Sequence, residues 1–378
     1  MAKPIYLDYN ATTPIDPAVR NAMLPYLEEH FGNPSSGYIY GHRAKEAVEQ
    51  ARAQVAALIG AAPEEIVFTS GGSESDNQAI IGTALANLEK GKKHIITSSI
   101  EHPAVLNTCR YLEEKMGFRI TYLPVDRYGL VSPEDVKQAI TGQTVLITIM
   151  HANNEVGTIE PIEEIGRIAR EREIPFHTDA AQSCGKLPVK VDNLNVDLLT
   201  IAGHKLYAPK GIGALYIRKD VVLDSFIHGA GQEVGKRAGT ENVPYMAGLG
   251  AACEIAGNSL ADYQKNIRQL RDKLHSLIES GLGEDNVRLN GHPERRLPNT
   301  LNISLRGVVG EELLAQIPEI AASTGAACHA GSTEPSNVLL AMGLSREWAL
   351  GALRLTLGRW STTEEIETAG KLIVEHVR

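Results

Sequence analysis

Residues 65–75 read Glu65-Ile66-Val67-Phe68-Thr69-Ser70-Gly71-Gly72-Ser73-Glu74-Ser75. Ile66 to Thr69 are β-branched or aromatic and make a strand, and a Gly-Gly turn leads at once into a helical stretch. The same alternation runs on down the chain. Strand-like segments fall at 94–97, 119–124, 144–150, 175–178, 197–202 and 212–217, with helical stretches between them. Ser132-Pro133-Glu134-Asp135 is a helix start, with Ser as cap, Pro in the first position and acids in the first turn. Residues 161–172 carry Ile162, Ile165 and Ile168 at spacings of three, one helical face. Strands alternating with helices of this length predict βαβ units, an α/β fold and a mostly parallel sheet.

The pattern changes after about residue 253. A charged amphipathic helix, roughly 261–280, precedes a new strand set near Asn299-Thr300-Leu301-Asn302-Ile303. We expect a large domain over 15–254 and a smaller α+β domain built from 1–14 and 255–378.

Composition bounds the function. With 46 acidic against 37 basic residues in 378, the net charge of −9 argues against nucleic acid as a partner. Apolar runs such as 145–150 fall far short of the ~18 residues that span a bilayer. The start, Met-Ala-Lys-Pro, has no export signal, so a cytoplasmic protein with no membrane partner is expected. The four cysteines, at 109, 184, 253 and 328, form no CxxC pair, so neither a metal site nor a disulfide framework is expected.

Three strand ends carry chemistry. Gly71-Gly72-Ser73 offers free N–H groups and a hydroxyl at a helix start, a phosphate cradle, although such a turn is also a plain connection. Asp179, in His177-Thr178-Asp179-Ala180-Ala181-Gln182, stands where α/β ligands bind and suits a protonated ring nitrogen; it also suits a helix cap. Lys205, in Ala202-Gly203-His204-Lys205, can condense with an aldehyde cofactor if burial lowers its pKa; otherwise it is an exposed lysine. Together, phosphate cradle, acid and amine in this order are what pyridoxal 5'-phosphate requires.

On these motifs the chain resembles the cysteine desulfurases, pyridoxal-phosphate enzymes of fold type I, with the similar selenocysteine lyases. The others that carry the resemblance are Tyr6-Leu7-Asp8-Tyr9-Asn10-Ala11-Thr12-Thr13-Pro14, Gly32-Asn33-Pro34-Ser35-Ser36, Glu101-His102, Met150-His151-Ala152-Asn153-Asn154-Glu155, Arg237-Ala238-Gly239-Thr240-Glu241-Asn242 and Thr324-Gly325-Ala326-Ala327-Cys328. The resemblance implies a seven-stranded, mostly parallel sheet between helices. It implies that Gly72, Ser73 and His204 hold the phosphate and that Thr240 reaches it from the partner of a homodimer. His102 would stack on the cofactor ring and relay protons, and Gln182 would bond its phenolic oxygen. Asn154 is expected to touch cofactor and substrate. Arg354 would hold the substrate carboxylate through a bidentate fork, with Asn10 also on the substrate side. Lys205 would move the Cα proton and Cys328 would take sulfur from L-cysteine, leaving L-alanine. The persulfide would then pass to an acceptor protein such as an iron–sulfur scaffold. Selenocysteine lyase, acting on L-selenocysteine, is the alternative. It is kept open by Ala202, where desulfurases commonly have Ser, and by His329 beside Cys328. Cys328 lies in a small, Gly-rich stretch expected to be a mobile loop, with the thiol activated by its neighbour. The other three cysteines are expected to be buried apolar groups.

Overall fold

The computed structural model describes residues 3–325 and 334–378. The strands in chain order are β1 (Ile5–Tyr6), β2 (Ile66–Thr69), β3 (His94–Ser98), β4 (Arg119–Leu123), β5 (Thr144–Thr148), β6 (Phe176–Asp179), β7 (Leu198–Ala202), β8 (Gly213–Ile217), β9 (Val287–Leu289), β10 (Thr300–Leu305), β11 (Ile320–Ala321) and β12 (Ala352–Thr356). Seven of them form one sheet in the order β2-β8-β7-β6-β5-β3-β4. The pairings from β7 to β4 are parallel, and β8 runs antiparallel to both β2 and β7.

Every residue of β2, β3, β5, β6, β7 and β8 is buried, because helices cover both faces. Successive side chains separate accordingly. Ile66 and Phe68 pack with the helix Ile39–Ile59 on one face, and Val67 packs with Ala79, Val105 and Leu112 on the other. The Ser132 hydroxyl accepts from Asp135 N at 3.3 Å and caps a helix over Pro133–Ala139.

The second half differs from expectation in one element. The helix predicted at 261–280 is the C-terminal part of a single 40-residue helix, Val243–Leu282. Gly257 lies inside it without a break. The Ser259 hydroxyl folds back onto Ile255 O at 2.7 Å. What changes near 254–261 is the packing partner. Leu249, Ala252, Cys253 and Ala256 join the core of the large sheet. Tyr263, Ile267, Leu274 and Ile278 join a second core, with β9, β10, β12 and the helix Thr363–Val377. That second core holds the antiparallel sheet β12-β10-β9. Leu7 is wholly buried within it, and β1 pairs with β11, so the N-terminal residues pack with the C-terminal ones. Among the described residues no helix is long and apolar enough to cross a membrane.

Candidate active site

A cavity of about 510 Å³ opens where β6 and β7 end. Its wall includes Gly72, Ser73, His102, Asn154, Asp179, Gln182, His204, Lys205 and Arg354, so one chain brings nearly all the expected residues together.

The cradle is the N-terminus of the helix Gly72–Ala86. Gly71, at φ 149°, caps it without a side-chain acceptor, which leaves N–H groups for an anion. A Cβ on Gly72 would stand 3.2 Å from the methyl of Ala202, so that methyl packs closely against the turn. His204 presents Nδ1 to Thr12 Oγ1 at 3.1 Å, and burial pushes its pKa to about 4, so it is neutral.

Asp179 ends β6 at the floor and is 7% exposed. Its Oδ1 accepts from Ala181 N at 2.8 Å and closes a turn; no helix starts here, so Asp179 is not the helix cap that its sequence also suited. Burial pushes its pKa up, opposed by His102, the Ala181 N–H and Lys205. Two further buried acids stand beside it: Asp76, outside every motif quoted above, and Glu101, whose motif with His102 gave it no role. Asp76 has an Oδ1 with no hydrogen-bond partner among the described residues, 3.7 Å from His177 Nε2. Glu101 accepts from Ser98 Oγ and Met150 N, and burial pushes its pKa to about 8.

Lys205 sits in the 3₁₀ turn after β7. Its Nζ donates to Asn10 O at 2.5 Å and Ala11 O at 2.7 Å, both neutral acceptors. Burial, with Arg354 adding to it, lowers its pKa to about 8. His102 caps the helix Pro103–Met116, and its Nδ1 accepts from Ala104 N at 3.1 Å. That bond commits Nδ1 as acceptor, so the neutral ring carries its proton on Nε2. Burial lowers its pKa.

Two expected substrate contacts meet resistance. The Asn10 side chain is 1% exposed and fully engaged, donating to Asn154 O and Thr300 Oγ1 and accepting from Asn299 Nδ2 and Lys186 Nζ. What Asn10 shows Lys205 is its backbone carbonyl. Arg354, on β12, holds Asp8 Oδ1 at 2.8 Å through Nη2 and Asn154 O at 3.3 Å through Nη1, while its Nε has no partner among the described residues. The fork is therefore shared with Asp8 rather than free. The Asn154 side chain lines the cavity.

Thr240 is exposed and outside this cavity. Its segment is tied down by Arg237, which pairs with Glu74 at 2.9 Å on the cradle helix, and by Glu233, which forms a bidentate pair with Arg52 at 2.8 and 2.9 Å. Cys328 and His329 lie outside the described residues. Ser323 and Gly325, just before them, line the cavity. Cys109, Cys184 and Cys253 are at most 1% exposed, and burial pushes all three thiols up, Cys109 and Cys253 to about 12.

These features fit pyridoxal 5'-phosphate. The uncapped helix start suits its phosphate, the buried carboxyl of Asp179 suits a ring N–H, and the Lys205 amine, with no acid bonded to it, suits its aldehyde.

Comparison with known proteins agrees. Residues 5–368 match the family described as Aminotransferase class-V. The chain is 51% identical over 378 residues to a cysteine desulfurase IscS of Methanosarcina thermophila, covering all of this chain and 92% of that one. It is 50% identical over 373 residues to one from Neisseria meningitidis, covering 98% and 91%. A solved NifS-like protein superposes with a TM-score of 0.92 at 40% identity, over 99% of both chains. SspA, solved in complex with cysteine, does so at 0.82 and 42%, over 94% of this chain and 99% of that one. The chain therefore belongs to the class-V aminotransferase family of pyridoxal 5'-phosphate enzymes, among its cysteine desulfurases.

Proposed function

We propose that this cavity takes L-cysteine, releases L-alanine and transfers the sulfur to Cys328 as a persulfide, for delivery to an acceptor such as an iron–sulfur scaffold protein. The observation that carries it is Lys205. It is an amine lowered to about 8 and, among the described residues, bonded only to carbonyls, in one cavity with a phosphate cradle and a buried acid. Pyridoxal 5'-phosphate, when bound, supplies an electron sink for negative charge at the substrate Cα.

The chain supplies the rest. Gly72, Ser73 and His204 would hold the phosphate, and Asp179 would keep the ring nitrogen protonated. Lys205 would hold the aldehyde, and its amine would move the substrate Cα proton. An amine poised near neutrality suits that exchange. His102 would stack on the ring and offer its Nε2 proton. Arg354 takes the substrate carboxylate by giving up part of its contact with Asp8, and Asn154 sits beside it. The Cys328 thiolate attacks the substrate sulfur, forming the S–S bond as the C–S bond breaks; the electron pair goes to the alanine fragment, which is then protonated.

The exposed Thr240 supports a homodimer in which each chain completes its neighbour's phosphate site, and we place the protein in the cytoplasm. The two core clusters, one around the large sheet and one around β12-β10-β9, support the expected division at 15–254 against 1–14 with 255–378.

Alanine release from L-cysteine and from L-selenocysteine, measured for the unaltered chain and for Cys328→Ala, tests this. Loss of cysteine turnover with selenocysteine turnover retained is expected of the variant. Undiminished cysteine turnover in Cys328→Ala would overturn the thiol's role. Turnover of selenocysteine alone by the unaltered chain would mean a selenocysteine lyase.

A further inference from the structure

Lys186 is 4% exposed and absent from the cavity wall, four residues after Gln182. Its Nζ donates to Gln182 Oε1 at 2.9 Å and to Asn10 Oδ1 at 3.4 Å, and both acceptors are neutral. Its own carbonyl accepts from Gln264 Nε2 at 3.0 Å, which pins the turn to the 40-residue helix. The charged and titratable groups facing it are Lys205 from the 3₁₀ turn, Arg354 from β12 and Cys184 from its own turn. Burying a lysine with two cations nearby is costly, and burial with those charges lowers its pKa to about 7.

A buried amine held at such cost is doing something an apolar residue cannot. The hydrogen bonds say what. Gln182 Nε2 gives one N–H to Asn10 O at 3.0 Å, and its Oε1 is taken by Lys186. Turning the amide over would set Oε1 against the Asn10 carbonyl and NH₂ against the Lys186 amine, two repulsive contacts. The amide is therefore locked, and what remains for the cavity is one N–H of Gln182. The ammonium form repels the turned NH₂ outright; the neutral amine still donates to Oε1, and there the Asn10 carbonyl disfavours the turned amide.

We propose that Lys186 is a positioning residue that fixes the Gln182 amide so that it can only donate a hydrogen bond to the cofactor's phenolic oxygen. This rests on the cofactor reading of the cavity. A donor there favours the deprotonated oxygen and lowers the pH at which the bound cofactor's visible spectrum changes form.

The test is a spectrophotometric pH titration of the substrate-free holoenzyme, with four variants. Lys186→Met should raise the spectral midpoint by about one pH unit, the size of one lost hydrogen bond. Gln182→Ala should raise it at least as far, and adding Lys186→Met to Gln182→Ala should move it no further. Lys186→Gln, which can still donate to Oε1, should restore most of the shift, and it also serves if Lys186→Met does not fold. A midpoint unmoved in Lys186→Met, or moved equally with and without Gln182, overturns the assignment while leaving the cofactor reading intact. If the unaltered protein shows no cofactor band, both fall.

Discussion

Replacing Lys205 by Met should stabilise the cofactor-free chain. An ammonium held at about 8 instead of its ordinary 10.5 carries a penalty of about 3 kcal/mol when charged. Met removes that penalty and keeps most of the side-chain volume. It also forfeits two hydrogen bonds, to Asn10 O and Ala11 O, at about 1 kcal/mol each. The net gain at neutral pH is about 1 kcal/mol. Lys186, whose pKa is depressed partly by Lys205, relaxes in the same sense. The sign with pH follows from the lowered value. Between about 8 and 10.5 the unfolded chain holds the proton more tightly than the folded one, so stability rises with pH across this window. The penalty is complete below it and gone above it. Urea unfolding of the cofactor-free forms at about pH 7 and about pH 10 should show the variant ahead at the lower pH and behind at the higher, where most of the penalty is gone and the hydrogen-bond loss outweighs the rest. A difference between the two chains that does not change with pH would refute the claim that Lys205 is held strained by burial.

Glu233→Ala leaves the Arg52 guanidinium buried and Phe68 N without its 2.9 Å acceptor, and should cost about 3–5 kcal/mol by urea unfolding. Pairing Glu233→Leu with Arg52→Met should cost clearly less than that single change, and an equal cost would mean that the pair is not coupled. Arg354→Lys keeps the charge but loses the fork, and kcat/KM for L-cysteine should fall about 10- to 100-fold, with cofactor content unchanged. A thiol reagent on the native chain should react rapidly with at most one cysteine, because Cys109, Cys184 and Cys253 are buried; rapid reaction of two would contradict their packing.

Much of the site is legible in the sequence because it lies at strand ends. Strand periodicity locates Thr69, Asp179 and Ala202, and in a parallel sheet the C-terminal ends meet at one edge. Gly72, Asp179 and Lys205 are therefore neighbours by topology, and the structure brings all three into one cavity. Asn10 was harder. Its motif marks it as a site residue, but only the fold shows its side chain spent on Asn154, Asn299, Thr300 and Lys186. The extent of the long helix is not legible in the sequence, because the change in residue character near 254 reflects a change of packing partner and not of backbone conformation.

The sequence by itself determined the α/β class, the order of the catalytic groups and which cofactor they suit, because these depend on local periodicity and on residue types at strand ends. The tertiary structure alone decided their states. It sets Lys205 near neutrality, commits Nδ1 of His102 to a backbone N–H, engages Arg354 with Asp8 and places Asp76, Glu101 and Lys186 behind the site. The physical reason is that burial and hydrogen bonding fix charge and direction, and both depend on atoms brought together from distant parts of the chain.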